Sequence, residues 1–432
     1  MLFNKGLLLA AVESAFGTAE TLTASDALEV IDPQFNPDFT KLTRNTMTGF
    51  KSPNAFSIGR KLGAIQFQVE AKGPGFINAR GKLGRLLLAC DMTETVHADS
   101  SALIFSKPIP MGTPSNTFTM VQTDAYTGKA VRRILLTCTT GGGSGTCKFD
   151  VDSPASGSDA AVHLTGAGAL AMTSGTEFLP LGASGGSITP TFTGTFTVGD
   201  QFVIYFTPPG YRYSPRTAAD AEGGHSLTMT IHYDGISHTL TGARGTWSLQ
   251  AGAGEFGVFS FNFVGNYNPA EDASIPSNPV FETTMPPQVE KARLWLPKEN
   301  GLLDTAVCAA QFGFSMSNSV VPRRCVNGAN GYAGAKITTR SPQFSADPEM
   351  LLEADHGFWG LFEEGAKYDV SALIAEFDSS GDHVPGNAVA FVAPVAQTSA
   401  MPYGNRDNTR VANLTAELSK FVGDDELSVL LI

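Results

Sequence analysis

His232 and His238 flank the dipeptide Asp234-Gly235 and are the nearest thing in this sequence to a metal-binding pair. A two-residue turn there sets His232 opposite Ser237 and His238 opposite Ile231. The two rings then point to opposite faces, which suits cross-strand packing and not shared ligation. Glu353, Asp355 and His356 gather at what reads as a helix end, where carboxylates are more often solvated than paired for acid–base work. Gly141-Gly-Gly-Ser-Gly145 has no helix after it, so it reads as a hairpin turn and not a phosphate cradle. Asn413-Leu-Thr415 has the spacing of a glycosylation acceptor, a pattern that arises often by chance. Phe259, Phe261 and Phe263 recur at a period of two and read as core or interface, not as a platform for bases. There is no HExxH, P-loop, GxSxG or Rossmann fingerprint in the right context. These residues assign no catalytic, cofactor-binding or metal-binding role, and the chain is expected not to be an enzyme.

The cysteines are Cys90, Cys138, Cys147, Cys308 and Cys325. Their odd number and the lack of CxxC argue against a zinc site or a disulfide scaffold. Cys138 and Cys147 flank TTGGGSGT and could face each other across a hairpin; two reduced thiols are the plainer reading.

The elements that position these residues are strands. In Ser226 to Tyr267, Leu227, Met229, Ile231 and Tyr233 alternate with Thr228, Thr230 and His232. Asp234-Gly235 predicts a type I′ turn. Ile236 to Thr241, Trp247 to Leu249, and Val258 to Phe263 complete a four-strand meander, with one apolar face and one rich in Thr, Ser and Asn. Composition agrees. Of 432 residues only 16% are charged, while Gly 46 and Pro 25 suit short strands and many turns. The net charge of −12 disfavours specific nucleic-acid binding. No apolar run of about 18 residues is present to span a membrane.

Along the chain, residues 1–56 read as an extended arm, with a short helix over Leu7 to Phe16 and a Pro-rich DPQFNPDF. The opening Lys5 and its short apolar run imitate a secretory signal, but Glu13 closes the run. Ser57 to Ala71 is a strand pattern, and Ala79 to Cys90 a short helix carrying Leu83, Leu86 and Leu87. From Asp99 to Gly210 the chain becomes rich in Gly, Thr and Ser. Short strands are expected there at Asn116 to Gln122, Val131 to Thr139, Cys147 to Asp152, Ala161 to Leu164 and Thr191 to Val203. Its flanks join into one element if it is removed, so it reads as a β-sandwich inserted at a loop. Excision of 99–210 is accordingly expected to leave folding intact. Asp347-Pro348-Glu349 reads as a helix start. Strands are expected at Ala292 to Pro297, Gln311 to Asn318, within Gly331 to Phe344, at Val370 to Asp378, Asn387 to Ala396 and Arg410 to Lys420, and in the apolar tail. The order strand, helix, hairpin, strand at 57–90 plus 226–267 recurs at 332–420, an internal echo that suggests duplication.

Four stretches together carry a family resemblance. LLAAVESAFGTAETLTASDALEVID (Leu8 to Asp32) resembles the opening of tail tube proteins of long-tailed, siphovirus-like bacteriophages, with its Glu-x-x-aromatic-Gly-Thr segment. IGRKLGAIQFQVEAKGPG (Ile58 to Gly75) resembles their first strand unit. Tyr211 to Leu249 resembles their central hairpin, and GAGEFGVFSFNFVGNY the strand that follows. FTGTFTVGDQFVIYF (Phe192 to Phe206) is similar to Ig-like domains inserted in phage tail proteins. The match is less specific from about residue 300 onward.

The resemblance implies a mainly β chain with a tail-tube β-sandwich or barrel fold, short flanking helices, duplication and an inserted Ig-like β-sandwich. The expected units are 1–56, the arm; 57–98 plus 211–290, the first tube domain; 99–210, the insert; and 291–432, a second tube-like domain. It implies rings, usually of six copies each giving four inner strands, stacked around a channel for DNA. Two tube domains per chain would make three copies a pseudo-six-fold ring. The implied partners are copies of the chain itself in trimeric or hexameric rings, the tape measure protein, the tail terminator, distal tail or baseplate proteins, and phage DNA in transit without sequence-specific binding. No membrane or cofactor is implied. The implied place is the virion tail, assembled in the bacterial host cytoplasm. Much of the negative charge is expected to line the channel, because like charge removes the counterion-release gain that makes DNA stick. The rival readings are a phage capsid decoration or adhesin β-protein, and a secreted carbohydrate-binding or hydrolytic protein. The last would want a carboxylate pair and exposed aromatics, which do not stand out.

Overall fold

The computed structural model describes residues 5–432 except 48, 78, 98–103, 127, 157, 182–185, 218–223, 291, 299–302, 305–306 and 329. The chain is mainly β, in several antiparallel sheets, with two short α-helices among the described residues, at Lys82–Leu88 and Phe358–Glu363. Alternation builds the strands. In Ser57–Glu70, Ile65, Phe67 and Val69 are buried while Gln66 and Gln68 are exposed. Val258–Tyr267 buries Phe259, Phe261 and Phe263, whose rings stack along the strand at 6.0 and 5.7 Å between centroids.

Eight strands lie edge to edge in one run. In spatial order they are Ile31–Leu42, Ser57–Glu70, Val258–Tyr267, Ile236–Gly252, Ala309–Ser315, Gln343–Pro348, Leu414–Leu418 and the end of His383–Ala400. The two long strands, Ile236–Gly252 and His383–Ala400, also continue out of this run. There they pair with Leu227–Tyr233 and Tyr368–Phe377. Gly6–Val12 flanks the first of these and Arg293–Pro297 the second. Trp247, Phe259, Phe314, Phe344 and Phe391 form the main core together with Leu83, Leu86 and Leu87 of the first helix. Gly84 in that helix admits Tyr213: a Cβ there would lie 2.0 Å from the Tyr213 hydroxyl.

The two halves share one strand order and one defect. Leu227 and Met229 face Ala243 and Leu240, so the long strand carries one extra residue; Tyr368 and Val370 face Ala396 and Ala393 with the same extra residue. The repeated unit in the second half begins at Ala309, upstream of the expected 332.

Several expectations change. Leu7 to Phe16 is not a helix; Gly6–Val12 is a strand with Leu7, Leu8, Leu9 and Ala10 all buried, because its apolar run completes the edge of the Leu227–Tyr233 hairpin. The meander has three strands, since Ile236–Gly252 is continuous and bends at Gly242, where φ is +60°. The Asp234-Gly235 turn is not type I′, because only Gly235 has positive φ, 99°, while the Asp234 carboxylate sits 2.6 Å from Lys5 Nζ. Asp347-Pro348 ends a strand and does not start a helix. Its carboxylate accepts the backbone N–H groups of Ala310 and Gln311 at 2.9 and 2.8 Å. The expected strand Thr191 to Val203 is two, Ile188–Thr191 and Gln201–Phe206, separated by a turn in which Asp200 accepts the Thr197 N–H.

Gly210–Pro215 pairs with Met92–His97, so the chain leaves and re-enters the fold on adjacent strands. The expected insert start at Asp99 lies outside the described residues. Between those strands, two antiparallel sheets enclose a separate core around Phe118, Phe149, Phe196 and Phe202. This unit is docked firmly. Leu135, Val203 and Tyr205 share an apolar cluster with Trp295, Leu373, Val392 and Leu430. At its centre Arg133 donates to both oxygens of Asp369 at 2.6 and 2.8 Å, with side chains 3% and 1% exposed. Burial, then the adjacent Asp369 charge, pushes the Tyr205 phenol well above its ordinary pKa, so it stays protonated and donates to Asp369 at 2.5 Å. Cys138 and Cys147 are buried in the insert as free thiols, and Cys90, Cys308 and Cys325 are also free.

Candidate functional site

The eight-strand run presents one face to the core and the other outward. Outward stand Gln66 and Gln68, then Ser260 and Asn262, then Thr246, Ser248 and Gln250. The second half continues with Gln311 and Ser315, Gln343 and Ser345, then Thr415 and Glu417. None of these is a lysine or an arginine. The amides and hydroxyls bond across strands: Gln68 Nε2 donates to Ser260 Oγ and Gln250 Nε2 to Gln311 Oε1, each at 3.3 Å. Two troughs run over this face, one floored by Gln66, Ser248 and Ser260, the other by Gln250, Ser315 and Ser345. The carboxylates Asp32, Glu70, Asp347 and Glu417 stand toward the ends of its strands, so the middle of the face is mostly uncharged. Such a surface holds water and offers a polyanion no fixed cation to exchange for counterions.

Both lateral borders of the run are open. Ile31–Leu42 pairs only with Ser57–Glu70 among the described residues, and most of it is exposed. Pro33 and Pro37, which cannot donate to a ladder, fit that edge position. At the opposite border, past Ala400, the hairpin Tyr403–Arg406 and Thr409–Ala412 adjoins the run through a bridge from Val411 to Glu349, and among the described residues Tyr403–Arg406 pairs only with its own hairpin partner. An unpaired strand edge is a template for another strand.

The Glu-x-x-aromatic-Gly segment near the N-terminus is a latch. Glu13 is 6% exposed, and its carboxylate accepts the Gly17 and Gly242 N–H groups at 2.7 Å. It also accepts the Ser226 and Thr228 hydroxyls at 2.5 and 3.0 Å. Phe16 lies under the Arg244 guanidinium, 4.4 Å from the ring centroid. The segment thus ties the first strand to the bend of Ile236–Gly252. It also covers Thr228, which is 1% exposed and whose hydroxyl accepts the Glu20 N–H.

The residues singled out for chemistry do not converge. His232 pairs with Ser237 and His238 with Ile231, as the turn length predicts. His238 stacks on Phe35 at 4.4 Å, and burial lowers the pKa of both imidazoles. The Glu353 carboxylate accepts the Trp359 and Gly360 N–H groups at 3.1 and 2.7 Å and so caps the second helix, while His356 stacks on Phe358 at 3.7 Å. Gly141 to Gly145 turns between the strands Arg132–Thr140 and Lys148–Ser153. Asn413 is exposed beside the second trough. Among the described residues no three His, Cys, Asp or Glu side chains are grouped to hold a metal ion, and no helix is long and apolar enough to cross a membrane. What sequence reasoning missed is the continuity of the polar face, whose signal was the Gln/Ser/Thr parity of strands distant in sequence.

No model of a known protein family matches the chain, and no curated protein matches it.

Proposed function

We propose that this chain is a structural subunit of a phage tail tube, in which copies close into rings and the polar face lines a channel for DNA. One observation carries the reading: eight strands per chain form a continuous run whose exposed central face is built of amides and hydroxyls without a lysine or arginine among them, and the run has two open, unlike edges. Pairing one edge with the opposite edge of the next copy is heterologous association, which closes into a ring when the rotation permits. Three chains of eight strands supply twenty-four, the number that six chains of four would supply in the resembled family. Twenty-four strands about 4.8 Å apart and tilted about 40° close a barrel roughly 45–50 Å across between backbones. That leaves room for a DNA duplex after side chains are counted. Hydroxyls and amides keep the wall wet, and bordering carboxylates repel phosphates, so DNA slides without release of counterions. The insert leaves from the strands Met92–His97 and Gly210–Pro215, outside the eight-strand run, and belongs on the tube exterior.

Light scattering across a concentration series tests the assembly. The expected mass is three chain masses at the lowest assembled state, rising in steps of three as rings stack. A chain that stays monomeric up to high concentration contradicts the proposal.

A further inference from the structure

We infer that the contact between neighbouring copies repeats, residue for residue, a seam already built inside each chain. This rests on the tube-wall reading above. Within one chain, the end of Ile236–Gly252 runs antiparallel to Ala309–Ser315. Leu249 stands opposite Phe314, Gln250 opposite Gly313 and Gly252 opposite Gln311. That seam joins the first repeat to the second.

The duplicated register identifies which residues hold the same places at the open edges. Leu249 faces Phe259 and Gln250 faces Val258 in the first half; Tyr403 faces Ala412 and Gly404 faces Val411 in the second. The intervening pairs keep step, since Ile65 opposite Phe263 corresponds to Phe344 opposite Ala416. At the other edge, Phe35 pairs with Ile65 as Phe314 pairs with Phe344, and Gln34 pairs with Gln66 as Gly313 pairs with Ser345. Tyr403–Arg406 therefore occupies the place of the strand end that makes the internal seam, and Asp32–Phe35 the place of the strand that receives it.

Carrying the internal pairs over sets Tyr403 of one copy opposite Phe35 of the next, Gly404 opposite Gln34, and Arg406 opposite Asp32. The side chains suit one another: an aromatic pair is favourable across an antiparallel ladder, and Asp32 would add a carboxylate beside the Arg406 guanidinium, which within the chain already holds Asp347 and Glu349. Tyr403 is 52% exposed, and Asp32 is exposed, in the single chain. The partner that fits is thus a second copy of this chain, joined edge to unlike edge.

Cysteine pairs read the register directly. In a background with Cys308→Ser and Cys325→Ser, Asn36→Cys is combined with Pro402→Cys, the counterparts of Ser315 and Ser248, which face each other in the internal seam. Both positions are exposed, so the substitutions leave the core intact. Under mild oxidation this pair is expected to link copies at least about tenfold faster than Asn36→Cys with Asn405→Cys, because a disulfide needs Cβ atoms roughly 4 Å apart. The products should form a ladder ending at the closed ring. Two results overturn the inference while leaving the tube reading in place: assemblies in which both pairs link equally slowly, and assemblies in which Asn36→Cys alone links like edges to each other. Absence of any assembly by light scattering contradicts both.

Discussion

Asp369→Ala is expected to destabilise the chain by about 3–5 kcal/mol, because it strands a guanidinium in an apolar interface. Arg133 is 3% exposed, and its two short bonds to Asp369 join the insert to the second half across 236 residues of sequence. Tyr205 loses the shorter of its two acceptors in the same step and keeps only Ser371 Oγ, at 3.0 Å. A buried pair need not itself stabilise, since the desolvation of both ions offsets their attraction. The double variant Arg133→Met, Asp369→Leu is therefore expected to recover most of the loss. Urea unfolding of wild type, the two singles and the double gives the cycle; a double variant as unstable as the sum of the singles would refute this view of the interface. The same geometry revises the expectation that 99–210 can be cut out freely. Excision uncovers Trp295, Leu373, Val392 and Leu430 and leaves Asp369 unpaired.

Glu13→Ala is the second large effect, also about 3–5 kcal/mol, because two backbone N–H groups and two hydroxyls lose their acceptor at once. The first strand is expected to detach from the Leu227–Tyr233 edge. Limited proteolysis near residue 20 should then proceed under native conditions. Glu20→Ala is the comparison, since among the described contacts its carboxylate takes only the N–H and the hydroxyl of the exposed Ser14; it should change stability by less than about 1 kcal/mol. Equal effects of the two substitutions would show that the buried carboxylate is not the latch.

Strand parity was the most legible feature of the sequence. Ile65/Phe67/Val69 and Phe259/Phe261/Phe263 alternate with polar residues, and period two has one structural meaning. The positions of His232 and His238 followed from turn length alone. Gly6–Val12 was misread because an unbroken apolar run has no period to distinguish a buried strand from a helix. Asp347-Pro348-Glu349 carries a sound local cap signal that tertiary partners override: the N–H groups of Ala310 and Gln311, and the Arg406 guanidinium, take those carboxylates. The polar face was half legible. Its residues could be assigned to one side of each strand, but the side-by-side order of strands far apart in sequence could not. The expected concentration of negative charge on that face rested on the chain's total of −12, which says nothing of distribution. The face itself is mostly amide and hydroxyl.

Electron microscopy of the assembled protein in end-on view tests the tube-wall account most directly. The account predicts rings or stacked tubes of three chains, with three-fold symmetry, the inserts projecting outward and an open central hole. Assemblies without a hole, or rings whose inner wall is made by the inserts, would contradict it.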